Sequence, residues 1–172
     1  MQNPQALQRF AIPGQLEFVS RGDNFTVAEV TNAHATASIA LQGAHVMTWA
    51  PKGQQPVIWL SSDAKLAAGK SIRGGVPICW PWFGPHATDA AKPGHGHART
   101  VPWEVIETRA LPGGATELTF QLVESDATRA VWPHATPVQA IITVGKDLTV
   151  ELVTRNNEKA PVTIGEALHT YF

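Results

Sequence analysis

One arginine stands in a run of glycines, prolines and large aromatic rings: Ser71-Ile72-Arg73-Gly74-Gly75-Val76-Pro77-Ile78-Cys79-Trp80-Pro81-Trp82-Phe83-Gly84-Pro85, with no further charge until Asp89. A guanidinium in such apolar company is costly to bury unless it meets an anion. Flat indole and phenyl faces beside it are what a sugar or a phosphorylated sugar would meet. The competing role for this run is a rigid Pro/Gly-braced loop packed under a sheet, with Arg73 paired to a nearby Asp or Glu.

A second cluster follows at Lys92-Pro93-Gly94-His95-Gly96-His97-Ala98-Arg99. On an extended backbone His95 and His97 project to the same side. Such a pair can hold a metal, and cupin barrels use one with a Glu close behind. Here the next acid is Glu104, seven residues after His97 and beyond Pro102. No Cys/His cluster elsewhere completes a tetrahedral set, so no metal is expected. His97 reads as an unliganded loop histidine, whereas His95, beside Gly96 and close to Arg99, has the stronger claim on a pocket. His169 lies inside an apolar strand. It is either a core histidine satisfied by a backbone carbonyl or an imidazole poised for proton transfer near pH 7. Glu166 is three residues away, on the opposite face of a strand, and is not expected to assist. His34, His45, His86 and His134 sit near turns and read as solvated loop residues.

The elements that must position these groups are short strands. In Thr116–Val123, Leu118, Phe120 and Leu122 share one face, with Glu117, Thr119 and Gln121 on the other. In Asp147–Arg155, Leu148, Val150 and Leu152 face away from Thr149 and Glu151. A period of two with one apolar face is the pattern of antiparallel sheets. Further strands are expected at Leu16–Ser20, Phe25–Thr31, Thr36–Leu41, Val46–Trp49, Val57–Leu60, Trp103–Thr108, Val138–Val144 and Val162–Phe172. Arg21-Gly22-Asp23-Asn24, Pro51-Lys52-Gly53, Pro112-Gly113-Gly114 and Gly145-Lys146-Asp147 carry turn chemistry between them. Only Ser61–Gly69, with a Ser62 cap, could form a short helix. Many short strands at near-regular spacing predict an all-β antiparallel sandwich or barrel.

Composition narrows the functional class. The 172 residues suit a single domain with a real core, and 13 prolines and 14 glycines spread along the chain argue against long helices. Thirteen basic and 14 acidic residues, with no basic run, make nucleic acid an unexpected partner. No stretch approaches a membrane span or a signal-peptide core. The lone Cys79 fits a reducing compartment, so a cytoplasmic location is expected. The last strand closes on Leu168-His169-Thr170-Tyr171-Phe172, which would leave an apolar face uncovered. A single domain over residues 1–172, missing its C-terminal side, is the expected organisation. Oligomeric state is not legible in the residues.

Together the blocks Ile72–Pro85, His95–Arg99 with Trp103, Trp132-Pro133-His134 and Ala167–Phe172 resemble the hexose-6-phosphate mutarotases. These form the glucose-6-phosphate 1-epimerase branch of the aldose 1-epimerase superfamily. The resemblance implies a large antiparallel β-sandwich of the galactose-mutarotase type. It also implies interconversion of the α and β anomers of a hexose 6-phosphate, a small-molecule substrate, without a cofactor. On this resemblance His169 is the acid that protonates the ring oxygen. Arg73 and Arg99 face the sugar phosphate, His95 lies beside the sugar hydroxyls, and Trp82 belongs to the aromatic wall. His97 stands where the family usually has Phe, and Gly94 where some members carry a sugar-binding Gln. The family's catalytic carboxylate follows the Leu-His-Thr-Tyr-Phe block at a distance these 172 residues do not include. The alternative is a non-catalytic sugar-phosphate-binding module that keeps Arg73, Arg99 and the aromatic wall. A free-sugar epimerase is disfavoured by the two arginines.

Overall fold

A computed structural model describes residues 2–22 and 24–172. The period-two segments form two antiparallel meanders. The first sheet runs β1 (Leu16–Ser20), β2 (Thr26–Thr31), β3 (Ala35–Ala40) and β4 (His45–Pro51), each paired with its neighbour in that order. A two-residue strand, β5 (Ile78–Cys79), lies in the aromatic run. The second sheet runs β6 (Trp103–Ala110), β7 (Thr116–Leu122), β8 (Val138–Val144) and β9 (Leu148–Thr154), again in chain order. A last short strand, β10 (Ala167–Leu168), pairs antiparallel with β5.

Alternation decides which face of each sheet is dry. In β8 every second residue from Val138 to Val144 is buried, and in β7 Leu118, Phe120 and Leu122 point the same way. They join Ala28, Val30, Ala37 and Ile39 of the first sheet, with Trp80 and Trp103, in one continuous core. The architecture is therefore an all-β sandwich, two sheets sharing one apolar interior. Asn32 staples the layers. Its amide donates to Thr116 Oγ1 (3.0 Å) and to the Val144 carbonyl (2.9 Å), while its Oδ1 accepts from the His34 and Ala35 amides. The outer face of the first sheet is also covered, by a smaller cluster of Phe25, Val27, Ala40, Met47 and Ile72.

Several expected elements take another form. Ser61–Gly69 is not helical, because its polar groups are engaged elsewhere. Ser61 Oγ accepts from the Asp63 amide, and Gln42 grips the far end, accepting from the Gly69 amide and donating to the Lys70 carbonyl. Val57–Leu60 is not a ladder strand; its backbone bonds run instead to Trp49, Tyr171 and Gly75. Of Val162–Phe172 only β10 is regular. The chain does contain a short helix, α1 (Asp126–Val131), which starts at a Ser125–Thr128 capping box. No helix among the described residues is long and apolar enough to cross a membrane.

Candidate functional site

The site is built where two distant blocks of the chain zip together. The Gly165 amide donates to the Pro81 carbonyl (2.9 Å), Ala167 pairs with Cys79 and Leu168 with Ile78. The His169 amide donates to the Pro77 carbonyl and the Tyr171 amide to the Gly75 carbonyl, both at 3.0 Å. A single antiparallel register thus extends well past β10. It explains why a proline-rich run tolerates pairing: Pro77 and Pro81 serve only as acceptors, so their missing N–H costs nothing. Alternation along this segment puts His169 and Tyr171 on one side, where their rings stack at 5.0 Å. Leu168, Thr170 and Phe172 take the other side and line a groove with Trp49 and Val76.

The opposite wall is the loop between Trp80 and Arg99. The His95 amide donates to the Gly84 carbonyl (2.7 Å), and the Gly84 amide donates back to His95 Nδ1 (3.1 Å). That second bond fixes the tautomer. A backbone N–H can only donate, so Nδ1 carries no proton and neutral His95 keeps its hydrogen on Nε2. Both His95 and Gly96 have positive φ, +66° and +69°, and a Cβ at Gly96 would run into the Trp80 carbonyl. Glycine at 96 is a packing requirement, since Trp80 also accepts from the His97 and Ala98 amides there.

The two walls bring four rings together. Phe83 lies 4.8 Å from His95 and 6.0 Å from His169, and the two imidazoles are 6.0 Å apart at 87°. Burial, then the Arg99 charge and then His169, hold the His95 pKa below the ordinary imidazole value. Arg99 Nη2 donates to the Gly94 carbonyl (3.0 Å), while its Nε is buried with no acceptor among the described residues. Arg73 is exposed, and its carbonyl accepts from the Ser61 amide (3.1 Å). Among the described residues no carboxylate lies within ion-pair distance of Arg73, Arg99, His95 or His169. The ion pair that would have given Arg73 a purely structural role is not made among the described residues. Arg73 and Arg99, with no carboxylate partner among the described residues, leave two guanidiniums that can pair with an anion.

The sequence-predicted residues are not all in contact. His95, His169 and Arg99 share one neighbourhood. Arg73 joins it through backbone: it lies two residues from Gly75, whose carbonyl receives the His169-bearing strand. Trp82 is 9% exposed, its indole donating to the Pro93 carbonyl (3.0 Å) with His86 edge-on at 4.7 Å. Its neighbour Phe83, 53% exposed, is the ring that meets both imidazoles.

Two histidines expected in solvated loops are in fact buried. His97, 5% exposed, sits edge-on to Trp80 at 5.6 Å, and burial lowers its pKa to about 4. His45, 1% exposed, is the first residue of β4, and its Nε2 lies 2.9 Å from the Gly74 carbonyl. Burial lowers its pKa to about 4 as well, against that hydrogen bond and with help from the Arg99 charge. The available signal was the apolar run Val46–Trp49: starting that strand one residue earlier puts His45 in the sheet.

Comparison with known proteins locates this arrangement. Residues 26–172 match the family model described as Aldose 1-epimerase. Proteins named "Putative glucose-6-phosphate 1-epimerase" from Escherichia coli and Salmonella typhimurium are 39% and 42% identical over 150 residues, 87% of this chain and 49% of theirs. The crystal structure of a "putative mutarotase" from Salmonella typhimurium superposes with a TM-score of 0.84 at 38% identity, over 92% of this chain and 52% of that one. The chain spans about half the length of the curated relatives it matches.

Proposed function

The chain belongs to the aldose 1-epimerase family, and from that premise we propose that its 172 residues carry the acid and the phosphate-binding side of a hexose-6-phosphate mutarotase. The observation that carries the reading is the meeting of His169 with His95 and Phe83 beside an arginine, Arg99, that no carboxylate among the described residues neutralises. His169 is the proton donor to the ring oxygen. As that oxygen is protonated, the bond between it and C1 breaks, and the anomeric hydroxyl loses its proton to a base. C1 becomes an aldehyde carbon, turns, and closes to the other anomer with the proton movements reversed. His95 Nε2–H is a donor suited to a sugar hydroxyl, Phe83 supplies the apolar side, and Arg73 and Arg99 take the phosphate.

The test is mutarotation of freshly dissolved α-glucose 6-phosphate, followed by NMR with the unaltered chain and with His169→Ala. Acceleration above the buffer rate that disappears in the variant is the expected result. That no carboxylate among the described residues pairs with the imidazole cluster favours a second reading, a sugar-phosphate-binding module without turnover. With only the acid half of an acid–base pair, rates fall by ~10²–10⁴-fold. Folded protein that binds glucose 6-phosphate yet leaves anomer exchange at the buffer rate selects that second reading. Folded protein that binds glucose and glucose 6-phosphate equally overturns both.

A further inference from the structure

Beneath the exposed Arg73 lies a fully buried histidine that no role in sugar chemistry accounts for. His45 reaches the Gly74 carbonyl through Nε2. A carbonyl only accepts, so the hydrogen is on Nε2, and Nδ1 is a bare lone pair, buried and unpartnered among the described residues. A buried acceptor left without a donor is costly, by ~1–3 kcal/mol, and such a cost persists where the group does something else. The ring also acts as a wall. A Cβ at Gly75 would run into His45 Nε2 and Cδ2 and the Val46 carbonyl, and one at Gly74 would meet the Trp59 carbonyl and Leu60 Cα at 2.7 and 2.8 Å. Gly74 and Gly75 have positive φ, +102° and +72°. The Gly75 amide donates to the Trp59 carbonyl (2.7 Å), and the Gly75 carbonyl receives the Tyr171 amide. One dipeptide therefore links Arg73 on its N-terminal side to the strand carrying His169, and His45 is the side chain that holds it from below.

We infer that His45 is a positioning residue: by bonding the Gly74 carbonyl and walling Gly75, it sets where the Arg73 guanidinium stands relative to the His169 strand. A long side chain on a glycine pair would otherwise spread its charge over many positions, and an anion would have to order it on binding. The arrangement asks for an uncharged imidazole with one defined tautomer, since an imidazolium here would add a buried positive charge within reach of Arg99. This inference rests on the reading of Arg73 as a phosphate contact and deepens it.

The experiment is a titration of the full chain with glucose 6-phosphate and with glucose, using Arg73→Ala, His45→Leu, His45→Gln and the double variant His45→Leu/Arg73→Ala. Each variant's folding is checked by circular dichroism. Arg73→Ala tests the underlying reading alone: equal losses for both sugars sink it whatever His45 does. If Arg73→Ala selectively weakens the phosphorylated sugar, His45→Leu should weaken it about tenfold with little effect on glucose. His45→Gln, whose amide can donate to the same carbonyl, should recover most of that loss. In the Arg73→Ala background His45→Leu should cost nothing further, because its effect passes through the guanidinium. Additive losses, or a folded His45→Leu chain with unaltered selectivity, overturn the inference. Should His45→Leu not fold, long-range proton–nitrogen spectra of the unaltered chain decide it. The His45 ring must show hydrogen on Nε2 throughout pH 5.5–8, and a hydrogen on Nδ1 overturns the inference.

Discussion

The interior of the sandwich and the loop platform at its side are held by opposite means. Between the sheets, stability comes from side chains: Leu118, Phe120, Ile142 and Trp103 are fully buried, and the polar groups nearby are satisfied, as Asn32 shows. Around Arg73, His95 and His169 the fixing is done by backbone against backbone, at glycines with no room for a Cβ. Three of the four buried polar side-chain atoms without a partner among the described residues, His45 Nδ1, His97 Nδ1 and Arg99 Nε, belong to the platform or adjoin it. The core breaks few local rules, the fourth such atom, Trp49 Nε1, being one, whereas the platform breaks several at once. Where rules are broken together without local compensation, function is the usual reason.

The contrast can be broken most forcefully from the core side. Phe120→Ala should lower unfolding stability by ~3–5 kcal/mol, read by urea unfolding, while molecules still folded keep their affinity for glucose 6-phosphate. Gly96→Ala should cost about 3 kcal/mol, since it adds a left-handed alanine and a collision with Trp80. Unlike the core variant, it should also weaken glucose 6-phosphate binding, because His95 is the preceding residue. If Phe120→Ala disturbed binding per folded molecule as much as Gly96→Ala, the two regions would not be separable.

Acid sharpens the same contrast at smaller scale. The folded pKa of His97 is about 4, below the 6.5 of an unfolded chain. Its burial therefore contributes fully above pH 6.5 and is lost as pH falls from 6.5 towards 4. At pH 5 the penalty is about 2 kcal/mol. His97→Phe should remove that penalty, so its gain in stability over the unaltered chain should grow by about 2 kcal/mol between pH 7.5 and pH 5. A pH-independent gain would mean that His97 titrates normally when folded. His45 should behave likewise, so the single variant flattens only part of the acid limb.

How much of this was legible follows the same division. Val138–Val144 and Leu16–Ser20 are strands with the expected bounds, and Thr116–Leu122 differs by one residue, because alternation is written into consecutive side chains. The platform has no such periodicity. Ile78–Cys79 pairs with Ala167–Leu168 through carbonyls that Pro77 and Pro81 still possess, a partnership across the chain that no local pattern announces. Val57–Leu60 looked like a strand for its apolar content, yet its partners are single bonds to separate segments. Helix α1 was not expected: its capping box carries Thr128 where Glu or Gln is the usual signal, and six residues are too few to show an apolar period. The site residues His95, Arg99 and His169 stood out through unusual neighbours, whereas buried His45 and His97 did not, because histidine types in a sequence carry no mark of burial.

The finest division between the two regions runs between adjacent residues. Trp82 and Phe83 are both aromatic members of the same run, but Trp82 is packed and bonded to the Pro93 carbonyl, while Phe83 is more than half exposed against two imidazoles. Trp82→Phe should therefore act as a core substitution does, lowering unfolding stability through the lost indole bond, by about 1 kcal/mol. Phe83→Ala removes little buried area, so that stability should stay put. It takes away an edge-on ring beside His95 and a face beside His169, contacts of the kind worth ~0.5–1.5 kcal/mol. Affinity for glucose 6-phosphate should then fall roughly three- to tenfold, and affinity for glucose by a similar factor, because a ring cannot distinguish the phosphate. Arg73→Ala must do the reverse, penalising only the phosphorylated sugar. A Phe83→Ala chain that bound both sugars normally would move the apolar side of the site away from the imidazole cluster, and with it the boundary between structure and function in this loop.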